Sequence, residues 1–443
     1  MKAQRIDIIG AGIGGLATAW RLVQQSPVPV QLRIWDADSH VGGLAGTFSS
    51  EGLTAERFYH HLFRRDVHLI HLAQELGLGA ALQWRPARTG AYYFRQPYSL
   101  SSPLDLLRFR PLPFVDRLRM GALVLHARTV RHWQALDDET AADYIRRVAG
   151  ARVYNTVWQP LLQGKFGTYA EDVSAAWLWA KLVDRGSSRN RSGREELGYF
   201  RGGMGIVFQA LADRIQQAGH ELRLGQRVNQ LETDSEGRVT ALWAAGDRHP
   251  TDHVVATCHA PQLAALLPER QQAYAATLNR IAYLGNVCLV LALRQSLSQF
   301  YWTNVTDPAA PFVGIVEQTR WADRSDYGGH HLAYLSAYVP PGDTRYGMDA
   351  QALLEQYLPH IRNLFPHFTR AEVVQAWAWQ APYAQPIVTR GYRHLIPAIE
   401  TPLPNLLLCT MAQIYPSDRQ VSNGVALAGQ TADLLCRRLA AGA

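Results

Sequence analysis

The residues best placed to do chemistry are glycines and one acid. Gly10, Gly12 and Gly15 form a GxGxxG spacing in Gly10-Ala11-Gly12-Ile13-Gly14-Gly15. Asp36 stands about twenty residues beyond the last of them. A β-branched run over 5–9 leads into the glycines, helix formers fill 16–25, and a second apolar strand over 30–35 ends at Asp36. The order is therefore strand, turn, helix, strand, acid. Gly10 allows the tight turn, Gly12 lets a pyrophosphate approach the backbone, and Gly15 lets helix and strand pack closely. Ile13 and Gly14 lie in the turn that leads into the helix, whose first N–H groups and partial positive charge suit phosphate. Asp36, with Ala37 beside it, accepts from a ribose diol. These parts in this order predict a dinucleotide site.

Past Asp36 comes Ala37-Asp38-Ser39-His40-Val41-Gly42-Gly43-Leu44-Ala45-Gly46. A nicotinamide site needs nothing glycine-rich here, whereas an extended, permanently bound FAD often uses a second turn. In Asp36, His40, Gly42 and Gly43 the chain resembles the flavin amine oxidase, protoporphyrinogen oxidase and phytoene desaturase superfamily. That family usually has arginine at the position of His40, and a neutral imidazole is the weaker anion partner.

The resemblance implies an α/β fold, α+β overall. It would hold a discontinuous Rossmann-like FAD-binding domain of the glutathione-reductase type, with a mixed substrate-binding domain inserted. The expected division assigns 1–77, 199–278 and 391–443 to FAD, and 78–198 and 279–390 to substrate. Leu44 then lies in the second cofactor turn, and the segment Arg57-Phe58-Tyr59-His60-His61-Leu62-Phe63 runs beside the flavin ring, His60 and His61 included. Gly202-Gly203-Met204-Gly205 opens a helix, followed by strands over 221–224, 227–232, 239–244 and 253–257. There the resemblance places the Val228 backbone at adenine and returns Thr257 to the cofactor. At the C-terminus a strand over 405–410, a loop beginning at Met411 and a helix over 423–439 follow. Backbone N–H groups at Val421 and Ser422 are expected at the flavin pyrimidine edge. The family's glycine–acid pair after this strand is replaced by Thr410 and Met411, which leaves Asp418 as a candidate ribityl partner. Cys409 reads as a small buried hydrophobe, so FAD is expected to be non-covalent.

Candidates for catalysis are few: His61, Lys165 and Tyr415. Lys165 lies in Gln163-Gly164-Lys165-Phe166-Gly167 and is one of only three lysines, with Lys2 and Lys181. Arg185, Arg189, Arg191 and Arg194 surround Gly186-Ser187-Ser188, either as a phosphate clamp or as a basic loop. No serine–histidine–acid order, zinc motif or kinase motif competes.

The chain has 443 residues, 47% apolar and 18% charged, which describes a globular protein of more than one domain. Its four cysteines form no CxxC, so neither metal nor disulfides are expected. The net charge of +7 is dispersed and almost all arginine, with no nucleic-acid module, so no nucleic-acid partner is expected. The sequence shows no signal-peptide pattern or spanning segment, so a cytoplasmic location is expected, with membrane association open. From 101 to 133, six arginines alternate with leucine, phenylalanine and valine. Pro103, Pro111 and Pro113 divide this stretch, which favours two packing helices with arginines outward over one membrane-lying face. Peripheral membrane contact and a lipid-like substrate stay open, and oligomeric state is unknown. The activity expected is that of an FAD-dependent oxidoreductase taking hydride from a small or hydrophobic substrate onto flavin N5. Two alternatives stand beside it: a non-redox flavoenzyme resembling UDP-galactopyranose mutase, and a flavin-containing binding protein without turnover.

Overall fold

The computed structural model describes residues 2–93, 96–187 and 195–442, and backbone only at 185–187. Arg189, Arg191 and Arg194 of the basic cluster lie outside the described residues.

The β-branched start of the chain forms the strand Gln4–Ile9, with Ile6 and Ile8 fully buried. It is the centre of a five-stranded parallel sheet in the order Leu406–Leu408, His253–Ala256, Gln4–Ile9, Val30–Trp35, Glu221–Arg223. Three of these five strands are distant in sequence from the first two, so this sheet closes only when the whole chain has folded. Parallel neighbours need crossovers, and the helix Ile13–Gln25 supplies the first. It packs against the helices Gly205–Gln217 and Val421–Ala441. A three-stranded antiparallel meander, Val228–Thr233, Val239–Ala244 and Asp247–Pro250, stands beside this sheet.

A second, seven-stranded sheet runs in the order Val373–Pro386, Tyr283–Leu293, His331–Val339, Gly314–Glu317, Trp302–Val305, Thr89–Tyr93, Gln96–Ser99. All pairs are antiparallel except Trp302–Val305 with Thr89–Tyr93. Its second strand Tyr283–Leu293 is buried throughout, and the sheet packs an aromatic cluster that includes Tyr301, Trp321 and Tyr334.

Several local expectations need correction. The first helix starts at Ile13, directly after Gly12, rather than at 16. By residue type and position Asp66 is expected to cap a helix with Val67 on its apolar face; it precedes the helix Val67–Glu75 without capping it, its carboxylate accepts the N–H of Phe63, and Val67 is exposed. Lys165, between Gly164 and Gly167 in sequence, sits in the last turn of the helix Gln159–Phe166. The strand Glu196–Phe200 pairs antiparallel with Leu82–Pro86, so the chain on the two sides of position 198 belongs to one strand pair. The prolines of 101–133 separate two helices, Pro103–Leu107 and Phe114–Thr129, but the outward faces are not purely basic. Leu104, Leu107, Phe114, Val115, Leu118 and Leu125 are exposed, six of the ten large exposed apolar side chains among the described residues.

Candidate functional site

The two glycine turns meet. The N–H of Gly42 donates to the carbonyl of Ala11 at 2.9 Å, and a Cβ on Gly12 would lie 4.0 Å from the Cα of Gly43. Gly10 (φ +114°), Gly42 (φ +113°) and Gly43 (φ +55°) are left-handed, a region that costs other residues strain. Gly15 is needed for another reason: a Cβ there would sit 1.8 Å from the Gly10 carbonyl oxygen. Gly14 lies against Thr257 and Cys409, the ends of two neighbouring strands. Gly12 caps the helix with extended backbone and no side-chain hydrogen bond, which leaves the first N–H groups of Ile13, Gly14 and Gly15 for a ligand.

Asp36 joins this turn directly. Its carboxylate accepts from the N–H of Ala11 at 2.7 Å and of Asp38 at 2.8 Å. Burial pushes its carboxyl above the usual range, and those N–H groups partly offset the shift. Ala37 beside it is exposed. The segment leading to Val228 lies alongside, because Gly225 and Gln226 donate to the carbonyls of Asp38 and Asp36, each at 2.8 Å. Val228 itself is buried and opens the meander. Thr257 uses its hydroxyl on the carbonyls of Ile9 (2.9 Å) and Gly10 (3.2 Å).

His40 is placed differently. Its ring is exposed, bonds Ser39 at 2.8 Å, and lines a groove with Val41, Thr47, Gly205 and Gln209 that none of the glycines of the first turn enters. The basic residue beside the second turn is Arg57, which reading of the sequence missed. It pairs with Asp38, lies 4.9 Å over the ring of Trp379, and its N–H donates to Gly46 at 2.9 Å. Burial opposes the charge on Asp38, but Arg57 outweighs it and holds that carboxyl below its ordinary range. Leu44 occupies the short helical turn Gly43–Ala45 between them. Glu56, also missed, is buried and accepts the N–H of Met204 at 3.0 Å, so it holds the Gly202–Gly205 turn.

The C-terminal loop brings a second group together. The helix Val421–Ala441 begins without a side-chain cap, and Gly424 packs on Ile13, a would-be Cβ standing 2.8 Å from its Cγ2. Met411 is close by, its Sδ 3.6 Å from that same position. The backbone start at Val421 and Ser422 therefore faces the first helix start, while the Ser422 hydroxyl accepts the N–H of Leu69 at 3.3 Å. Arg419 extends from this loop to Gln385 (2.9 Å) and to the Tyr338 hydroxyl (3.1 Å). Burial, with the charge of Arg419 adding to it, pushes the imidazoles of His60 and His259 down to about 4. Both rings are neutral at pH 7, and His60 holds the Phe58 carbonyl at 2.6 Å. Burial also drives the Tyr59 hydroxyl well above its ordinary value, Arg419 only partly offsetting this.

Of the three catalytic candidates, one lies next to this group. Lys165 Nζ is 3.8 Å from Asp418 and 5.7 Å from the ring centre of Tyr338. Asp418 is also paired with Lys181. Burial disfavours its charge, but Lys165, Lys181 and Arg419 together hold it far below the carboxylate range. It is committed to an ion pair, which removes the reason to give it the ribityl group. His61 packs edge-on against Phe63, Tyr301 and Trp302, with Nδ1 3.1 Å from the Tyr301 hydroxyl. Tyr415 donates to buried Asp137 and lies 2.6 Å from Ser174 Oγ, so its hydroxyl is engaged in packing the loop. Cys409 is buried, and burial lifts its thiol to about 11, away from reactive thiolate.

A parallel sheet whose glycine turn, acid and capless helix starts converge in this way defines a dinucleotide-binding flavoprotein fold. The chain belongs to the flavin-containing amine oxidoreductase family, whose model matches residues 13–420. It is 23% identical to a probable zeta-carotene desaturase of Synechococcus elongatus, over 91% of this chain and 92% of that one. It is 24% identical to the mitochondrial protoporphyrinogen oxidase of Nicotiana tabacum, over 52% and 51%. Among solved structures, a putative protoporphyrinogen oxidase from Exiguobacterium sp. 255-15 matches with a TM-score of 0.78 at 18% identity, covering 99% and 100% of the two chains. Reduced UDP-galactopyranose mutase matches in fold with a TM-score of 0.75 at 15% identity, covering 98% and 96%. The protein is an FAD-dependent oxidoreductase.

Proposed function

We propose that FAD lies along the joined glycine turns and ends at the loop 411–420, beside the seven-stranded sheet. The joining of the turns carries this reading: Gly42 bonds Ala11, Ala11 bonds Asp36, and Gly15 admits no side chain. Backbone N–H groups of Ile13, Gly14 and Gly15 hold the pyrophosphate, Asp36 the ribose, and the segment at Val228 the adenine. The helix start at Val421 and Ser422 faces the flavin. The division into a cofactor part (1–77, 199–278, 391–443) and a substrate part (78–198, 279–390) belongs to the same proposal. When bound, FAD supplies the two-electron acceptor. The chain's own part is to orient a substrate against the aromatic face of the seven-stranded sheet and to exclude water there. His60 and His259 are neutral at pH 7 and add no positive charge at this end of the site. Purified protein should hold FAD, release it on acid precipitation, and lose flavin absorbance near about 450 nm, a general flavin property, with its substrate under anaerobic conditions. A preparation that takes up no added FAD refutes the reading.

The substrate is proposed to be an organic molecule with a large apolar part, delivered from a membrane surface. Among the described residues no helix is long and apolar enough to cross a membrane. The helix Phe114–Thr129 nevertheless has two faces. Asp116, Leu123 and Ala127 point inward; Phe114, Leu118 and Leu125 lie opposite at helical spacing. Arg117 and Arg128 flank this apolar ridge on one side and Arg119 on the other, the arrangement of a helix lying in an anionic lipid interface. Co-sedimentation with anionic vesicles should be strong, weaker in high salt, and lost in Leu118→Glu. Equal binding by that variant, or none by the parent, removes the membrane from the proposal.

A further inference from the structure

Arg419 is held unlike Lys165 and Lys181, the other partly buried cations of the site. Its Nε and Nη2 donate to the Gln385 side-chain oxygen and the Tyr338 hydroxyl. Gln385 is buried, and its amide nitrogen donates to the Pro386 carbonyl at 2.8 Å, which fixes its oxygen toward the guanidinium. Among the described residues no carboxylate forms an ion pair with Arg419, since neighbouring Asp418 is paired with Lys181 and Lys165. Nη1 makes no hydrogen bond within the described protein and is not sealed away. Its charge reaches Tyr59, His60 and His259, which are neutral at pH 7, and the Asp418 carboxylate, which Lys165 and Lys181 already hold. A half-buried guanidinium with no carboxylate of its own bears a desolvation cost that an anion would offset. Its unused edge presents N–H donors in the fork geometry that carboxylate and phosphate oxygens fit. Beside it stands an apolar wall: Tyr59 packs edge-on against Trp302 (5.0 Å) and Tyr334 (6.2 Å).

We propose that Arg419 anchors an anion subsite, so that the substrate carries a carboxylate or phosphate on an apolar body. The body lies against the aromatic wall of the seven-stranded sheet and the anionic group sits on Nη1. Arg419 is thus a specificity-determining residue. Its assignment to the substrate rests on the oxidoreductase reading above; the anion binding itself rests only on the geometry of Arg419.

The test is calorimetric titration of the purified protein with benzoate, phenyl phosphate and the neutral benzamide, with FAD content and melting temperature measured on the same samples. At least one anion should saturate the wild type and bind more tightly than benzamide. Arg419→Gln should weaken that anion roughly ten- to a hundredfold while leaving benzamide and FAD content unchanged. Arg419→Lys, which keeps the charge but not the fork, should fall between and guards against a misfolded glutamine variant. The relative strength of benzoate and phenyl phosphate decides which oxyanion the subsite takes. Failure of both anions to bind, or equal binding by both variants, overturns the subsite. Loss of FAD together with anion binding in Arg419→Gln reassigns the residue to the cofactor and also overturns it. A wild type that holds no FAD but shows the anion result would refute the oxidoreductase reading while leaving the subsite standing.

Discussion

Replacing Asp36 by alanine should have two separable effects, and the structure sets the size of each. The carboxylate accepts the N–H of Ala11 at 2.7 Å and of Asp38 at 2.8 Å, and Ala11 is fully buried. Alanine leaves the Ala11 N–H without a partner, which costs about 1–3 kcal/mol of apoprotein stability. Loss of the ribose contact should weaken FAD by about 1–3 kcal/mol more, or roughly 5- to 150-fold in Kd. Asparagine cannot rescue both, since one of its two terminal atoms is a donor and would face an N–H. Apoprotein melting temperature reports the first effect, and titration of FAD into apoprotein, followed by flavin fluorescence, reports the second. A lowered melting temperature with unchanged FAD affinity would refute the ribose role and leave Asp36 as a brace for the glycine turn. No change in either would refute the hydrogen bonds themselves.

Gly15→Ala should disturb the turn itself, because its Cβ would meet the Gly10 oxygen at 1.8 Å; about 1–3 kcal/mol or more of stability and most FAD uptake should be lost, checked by melting and by flavin content. Glu56→Gln retains an acceptor for the Met204 N–H and should fold normally, whereas Glu56→Ala should cost about 1–3 kcal/mol in chemical denaturation. His259 titrates near 4 in the folded protein against 6.5 unfolded, so between these values the unfolded chain binds the extra proton. Its contribution is therefore fully present above about pH 6.5 and is lost as pH falls toward 4. His259→Phe, which preserves the ring contacts to Tyr283 and Tyr383, should flatten this acid limb of the melting curve; an unchanged slope would show that His259 is not its source.

The glycine-based half of the site was legible because each glycine answers a local demand. A left-handed turn at Gly10 or Gly42, or a backbone too close at Gly15, excludes side chains whatever the rest of the chain does. The acid at the end of a strand is likewise fixed by spacing along one βαβ unit. His40 stands where a basic residue was expected, yet its own turn holds its ring, and Arg57 arrives by way of the hairpin Thr47–Ser50 and Leu53–Glu56. Tyr415 and Asp418 looked available on a loop, but buried partners from other elements, Asp137 with Ser174 and the two lysines, had already taken them. The prolines of 101–133 correctly marked two helices and gave no hint that the apolar side chains would face outward. Which face a helix buries depends on what it meets.

By itself, then, the sequence determined a dinucleotide turn, its acid and the cofactor class, because those features are steric and act over a few residues. Only the tertiary structure decided what surrounds the reacting end of the site. Arg419 finds Gln385 across 34 residues and Tyr338 across 81, and Glu56 finds Met204 across 148. No period or spacing encodes such meetings. They follow from how segments distant along the chain are brought together, and the burial and charge partners that result set the charge of His60, His259 and Asp418.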